Sequence, residues 1–281
     1  MSEPRFAQPT SLAEVTDLLA AGGWSLLAGG TDLFPARVGR ADDAAWIDIT
    51  RVQGLRGIRR DDQGWWFGAT TTWSDVLRAD LPPLFDALKQ AAREVGGVQI
   101  QNTGTLAGNL CNASPAADGT PVWMALDAEV VLQGSGQLER RMAVTEFVLA
   151  NRRTALGAGE VVVGLRVPQR SERARSVFLK LGGRRYLVIS LSMVALVIDV
   201  DGAGRVSHAA AAVGSCSARA QRLAGLESKV RGRALGTLAD TGVTAEDLAP
   251  LSPIDDVRAT AAYRADATLT LLQRALESLQ R

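Results

Sequence analysis

Residues 103–118, TGTLAGNLCNASPAAD, set closely spaced glycines among small hydroxyl and amide side chains and end on a carboxylate. Residues 26–33, LLAGGTDL, carry a second tight glycine pair behind an apolar run that begins at Trp24. Glycine at Gly29 and Gly30 permits positive φ and lets backbone N–H groups converge on an anion with no Cβ in the way. Thr31 adds a hydroxyl donor. Asp32 would repel phosphate, so it reads as a backbone cap or a partner for a ribose hydroxyl. Gly104, Thr105, Gly108 and Asn109 read as a second loop, with the short donors a pyrophosphate needs. Asp118 reads either as an acceptor for ribose or ribityl hydroxyls or as the N-cap of a helix starting near Pro121. Neither GxGxxG nor GxxxxGK[ST] occurs, which disfavours both a Rossmann dinucleotide site and a P-loop.

Side chains for acid–base or nucleophilic work are scarce. The single histidine, His208, lies in VSHAAAAV and reads as a half-buried strand residue. Cys111 and Cys216 fit no CxxC pattern, so neither zinc nor an iron–sulfur cluster is expected on this chain alone, and Cys111 reads as a small buried apolar residue. Any reactivity should then come from a bound cofactor. Lys plus Arg number 31 against 30 Asp plus Glu, a balance unlike that of a nucleic-acid binder. The opening residues MSEPRFAQP lack the apolar stretch of a signal peptide. The run 187–200, interrupted by Ser190 and Ser192, is too short to span a bilayer. A cytoplasmic location without membrane insertion is therefore expected.

The elements that must position these residues are legible in outline. Ser11 and Glu14 form a capping-box pattern before Leu12, Val15, Leu18 and Leu19 at helical spacing. Strands are expected at 24–28, 46–49, 65–69, 128–132 and 161–167, with a hairpin turn around 61–64. Ser74 reads as the cap of a short helix. Leu84, Leu88, Ala91, Ala92 and Val95 give a second helical face. Residues 166–185 are basic and read as a solvated face. Residues 186–200 and 205–213 read as a β-hairpin. Leu269, Leu272, Leu276 and Leu279 line a terminal helix. A polar linker at 170–176 marks the expected boundary between two domains, 1–170 and 171–281.

LLAGGTDL, GATTTW (68–73), GTLAGNLCNASPAAD and FLKLGGRR (178–185), in that order, resemble the FAD-binding medium subunit of molybdenum hydroxylases such as xanthine and carbon monoxide dehydrogenases. The resemblance implies an α+β fold: a two-lobed FAD-binding domain of the vanillyl-alcohol-oxidase type, with lobes at about 1–55 and 56–170, then a smaller C-terminal α+β domain with an antiparallel sheet. It implies that Ala28, Gly29, Gly30, Thr31, Asp32 and Leu33 wrap the FAD pyrophosphate. Thr105, Gly108 and Asn109 would form the opposite wall, Asp118 would lie on the sugar-phosphate side, and Val162 and Lys180 would lie near the isoalloxazine ring.

It further implies partners: a large molybdenum-pterin subunit, a small subunit with two [2Fe–2S] clusters, and an external electron acceptor. FAD would be non-covalent, since His208 lies far in sequence from both loops. Two departures stand out. The family's GGN is AGN here, with Ala107 replacing a glycine, and the ring-stacking phenylalanine of the animal xanthine enzymes aligns with Val95, leaving Tyr186 as another candidate to cover the ring. The rival readings are a free-standing flavoprotein oxidase or reductase, and a binding module that has lost FAD through Ala107.

Overall fold

The computed structural model describes residues 5–39, 44–136 and 138–281. It is an α+β protein with three main sheets. The first is parallel, in the order Phe6–Ala7, Ala45–Asp48, Trp24–Leu27. Its buried face carries Ile47, packed with Val15 of helix Leu12–Ala21. Ser11 caps this helix as the sequence predicts, accepting the Glu14 N–H at 3.3 Å. The Glu14 carboxylate, however, takes the N–H of Thr10 at 2.9 Å, one residue before the cap.

The second sheet is antiparallel, in the order Ile58–Asp61, Gly64–Gly68, Glu160–Val167, Glu129–Gly134, Arg140–Ala143. The chain leaves it after Gly68 and returns at Glu129, and the intervening residues form short helices: Trp73–Arg78, Asp86–Glu94, Val98–Thr103, Leu106–Asn112 and Gly119–Ala125. Phe67, Phe85 and Trp123 knit these helices to the sheet, with ring centroids 5.2 Å apart from Phe67 to each of the other two.

The third sheet is an antiparallel meander of Arg175–Gly182, Ser190–Val200, Val206–Gly214 and Gln221–Arg222. Every residue of Ser190–Val200 is buried. Successive side chains point to opposite faces of a strand, and the residues divide accordingly. Met193, Ala195 and Val197 join the core around Trp123 and Phe85, while Val194, Leu196, Ile198 and Val200 join a second core with Leu272 and Leu276 of helix Ala261–Leu279. The first of these cores thus draws on residues from both sides of position 170.

Four expectations change. Thr72, not Ser74, caps helix Trp73–Arg78: its hydroxyl accepts the Asp75 N–H, and Asp75 accepts the Thr72 N–H at 2.9 Å. Ser74 lies within the helix and donates to Asn102 Oδ1. The strand expected from residue 186 begins at Ser190; residues 183–189 are irregular, with Leu187 at φ +50° and its carbonyl accepting from Arg184 at 3.1 Å. The basic run is not simply a solvated face, because Arg166 pairs with Asp61, Arg170 with Asp127 and Lys180 with Asp118. The fourth change concerns the second glycine-rich segment, which forms part of the cleft.

Asp127, at φ +51°, gathers partners from three stretches of chain: Arg170, Arg222 at 2.7 Å and His208 at 3.0 Å. His208 is half-buried on its strand, as expected. Burial alone would raise the Asp127 carboxyl, but His208 and Arg222 outweigh it and hold it down at about 2.

Candidate functional site: a two-walled cleft

Between the parallel sheet and the helices lies a cleft of about 820 Å³, within the range of small-molecule and cofactor sites. Ala28, Gly29, Gly30, Thr31, Asp32, Leu33, Thr105, Gly108, Asn109, Asp118, Val162 and Lys180, the residues singled out from sequence, all line it.

The first wall follows strand Trp24–Leu27. Gly30 has φ +69°, and a Cβ there would meet the Phe34 ring at 2.3 Å. A Cβ on Gly29 would fall 1.9 Å from the Thr103 carbonyl oxygen, so glycine is what lets the two walls approach. The turn closes through the Phe34 N–H, which donates to the Gly30 carbonyl at 3.0 Å. Among the described residues, the successive N–H groups of 29–33 have no protein acceptor. A run of free N–H donors on a cleft wall forms an anion-binding concavity.

The second wall is not a loop. Residues 98–112 form two short helices, Val98–Thr103 and Leu106–Asn112, separated by Gly104 and Thr105. Leu106 and Leu110, one helical turn apart, bury one side of the second helix. Its first N–H groups are already engaged: Leu106 donates to Thr71 O, Ala107 to Ala69 O, Gly108 to Thr105 Oγ1 and Asn109 to Thr105 O. This assigns a role to GATTTW, whose carbonyls receive the helix start. What this wall offers a ligand is therefore side chains rather than amides. The Thr105 hydroxyl still has its proton to give, and Asn109 Oδ1 is buried without a partner. Ala107 is helical and its φ is not positive, so the glycine it replaces is not required by the backbone.

Asp118 directly precedes helix Gly119–Ala125 but makes no side-chain capping bond. Its Oδ2 accepts from Lys180 Nζ at 2.7 Å and its Oδ1 from Ser190 Oγ at 2.7 Å. Burial pushes the carboxyl up, against the opposing pull of Lys180 and Ser190. Lys180 also reaches the Glu94 carbonyl at 3.4 Å. Ser190 was missed as a functional residue; its only sequence signal was an interruption in an apolar run. Cys111 lines the same cleft, and burial pushes its thiol up to about 12. Tyr186 is exposed, while residues 187–189 and Val95 reach the cleft wall.

The family described as the FAD binding domain in molybdopterin dehydrogenase matches residues 2–170, and the CO dehydrogenase flavoprotein C-terminal domain matches 177–279. The chain is 31% identical to the 6-hydroxypseudooxynicotine dehydrogenase complex subunit alpha of Paenarthrobacter nicotinovorans, over 95% of this chain and 90% of that one. It is 30% identical to the carbon monoxide dehydrogenase medium chain of Hydrogenophaga pseudoflava, over 99% of this chain and 98% of that one. A solved structure of carbon monoxide dehydrogenase from Hydrogenophaga pseudoflava superposes with a TM-score of 0.84 at 28% identity, covering 99% of this chain and 98% of its counterpart. The chain with the free-amide turn and the helical second wall belongs to the FAD-binding medium subunits of the molybdenum hydroxylase family.

Proposed function

We propose that this chain binds FAD non-covalently in the cleft and serves as the electron-transfer subunit of a three-subunit molybdenum hydroxylase. The observation that carries the reading is the run of N–H groups at 29–33, free of protein acceptors, in a cleft whose second wall holds an orphaned Asn109 Oδ1. Those N–H groups suit the pyrophosphate, with Ala28 and Leu33 flanking them. Asn109 Oδ1 and the Thr105 hydroxyl suit polar groups of the sugar chain. Gly108 leaves the Thr105 hydroxyl its place, since a Cβ there would lie 2.7 Å from Thr105 Oγ1. Val162 offers an apolar surface beside Lys180 for the ring.

When bound, FAD supplies the redox chemistry, between two [2Fe–2S] clusters on a small partner fed by a molybdenum-pterin centre on a large one and an external acceptor. This chain's own residues bind, orient and set charge. Lys180 and Asp118 neutralise each other, and the Cys111 thiol stays protonated at neutral pH. Residues 1–170 would supply most of the cleft, and residues 171–281 would close it with Lys180 and 187–189. Among the described residues, no helix is long and apolar enough to cross a membrane, in keeping with a cytoplasmic complex.

The test is the visible spectrum of the purified full chain, followed by acid release of the pigment. The expected result is a flavin spectrum and released FAD. Gly29→Ala, which drives a methyl into the Thr103 carbonyl, should weaken FAD uptake at least tenfold in a fluorescence titration. A colourless chain that takes up no FAD would overturn the reading in favour of a binding module. Turnover of a small organic substrate by the chain alone would favour a free-standing flavoprotein.

A further inference from the structure

The ion pair between Asp118 and Lys180 is the feature of the cleft that binding alone does not explain. Both side chains are almost wholly buried, at 7% and 6% exposure, and both line the cleft. They come from separate stretches of chain: Asp118 from the approach to helix Gly119–Ala125, Lys180 from strand Arg175–Gly182. Ser190, at the start of the neighbouring strand, supplies the third member by donating to Asp118 Oδ1. An acceptor for ligand hydroxyls does not require a buried ammonium on one oxygen and a buried serine on the other.

Resting on the FAD reading above, we infer that Ser190 and Asp118 are positioning residues that hold and neutralise the Lys180 ammonium, and that this triad sets the reduction potential of the flavin bound beside it. The physical reason is charge in a poorly screened cleft. Reduction of FAD by two electrons and one proton leaves one added negative charge on the ring system; reduction by two electrons and two protons leaves none. An uncompensated ammonium would favour the added charge and raise the potential. A charged Asp118 cancels that ammonium, and Ser190 favours its charged form, against burial, by hydrogen-bonding the second carboxylate oxygen. Among the described residues, the other charged groups on the cleft wall are Glu94, Asp32 and Arg152, and Arg152 already donates to Asn112 Oδ1. Lys180 is the cation whose charge is set within the triad.

The experiment is a reductive titration of the full chain loaded with FAD, using dithionite and a reference dye, together with an FAD affinity titration. Asp118→Asn should raise the potential, shifting the ratio of reduced to oxidised flavin at least tenfold at a fixed solution potential, about 30 mV for a two-electron couple. Ser190→Ala should move it the same way by less. Adding Lys180→Met to Asp118→Asn should return most of the shift, which a merely structural role would not do. An unmoved potential in Asp118→Asn, or a rise that the second substitution fails to reverse, overturns the inference. So does a loss of FAD affinity with no change in potential, which would make Asp118 a hydroxyl ligand. If Asp118→Asn holds no FAD, Ser190→Ala decides: a raised potential supports the triad and an unchanged one refutes it. Failure of the unaltered chain to take up FAD would instead refute the functional reading on which the triad rests.

Discussion

Ala107 shows how far a single residue can be read without its backbone. Where the family pattern has glycine, alanine suggests a damaged phosphate loop. The residue instead sits in the first turn of helix Leu106–Asn112, its N–H bound to Ala69 O. Ala107→Gly should therefore destabilise the chain by about 1 kcal/mol, the helix-propensity difference, and leave FAD affinity unchanged; urea unfolding and an FAD titration would check both. The glycine pairs, Thr105, Asn109 and Asp118 were legible by their chemistry and all line the cleft, whereas Val162 and Lys180 came from the resemblance alone. The partners of these residues were not legible. Ser190 reaches Asp118 from far along the chain, and no local pattern encodes that encounter.

Among the elements, the amphipathic helices and the alternating strands were legible because burial imposes a period on them. The second glycine-rich segment was misread because small residues suit tight loops and close-packed helices alike. Its helical signal, Leu106 and Leu110 one turn apart, was present but short. The start of helix Trp73–Arg78 was misplaced because Thr72 and Ser74 are both good caps by type. Asp75 decides between them, lying three residues after Thr72 and closing the reciprocal box. Arg56 also pairs with Asp75, at 2.9 Å. Thr72→Ala should cost about 1 kcal/mol, read as a lowered thermal midpoint. Because residues 69–72 also receive the start of helix Leu106–Asn112, that loss should loosen the second wall of the cleft.

For the molecule as a whole, the α+β class and the C-terminal antiparallel sheet were legible, but the charge cluster that ties the halves together was not. Asp127 meets Arg170, Arg222 and His208 from three stretches of chain. Its carboxyl is lowered to about 2, below the unfolded value near 4, so its contribution is fully present above about pH 4 and is lost as pH falls through about 2. Asp127→Asn should lower stability at neutral pH by about 1–2 kcal/mol, discounted for partial exposure. It should also flatten the acid limb of the stability curve, as measured by urea unfolding at stepped pH.

The core around Trp123 carries a last consequence, for inheritance. It takes Phe67, Phe85 and Trp123 from the first part of the chain and Phe178, Met193 and Ala195 from the second, and the cleft likewise borrows Lys180 and residues 187–189 from the second. A recombination that spliced the C-terminal part of one relative onto the N-terminal part of another would exchange one wall of the cleft and one side of that core together. Such chimaeras should survive only between parents whose packing already matches, so the two parts are expected to diverge in step and to pass through descent as a single piece.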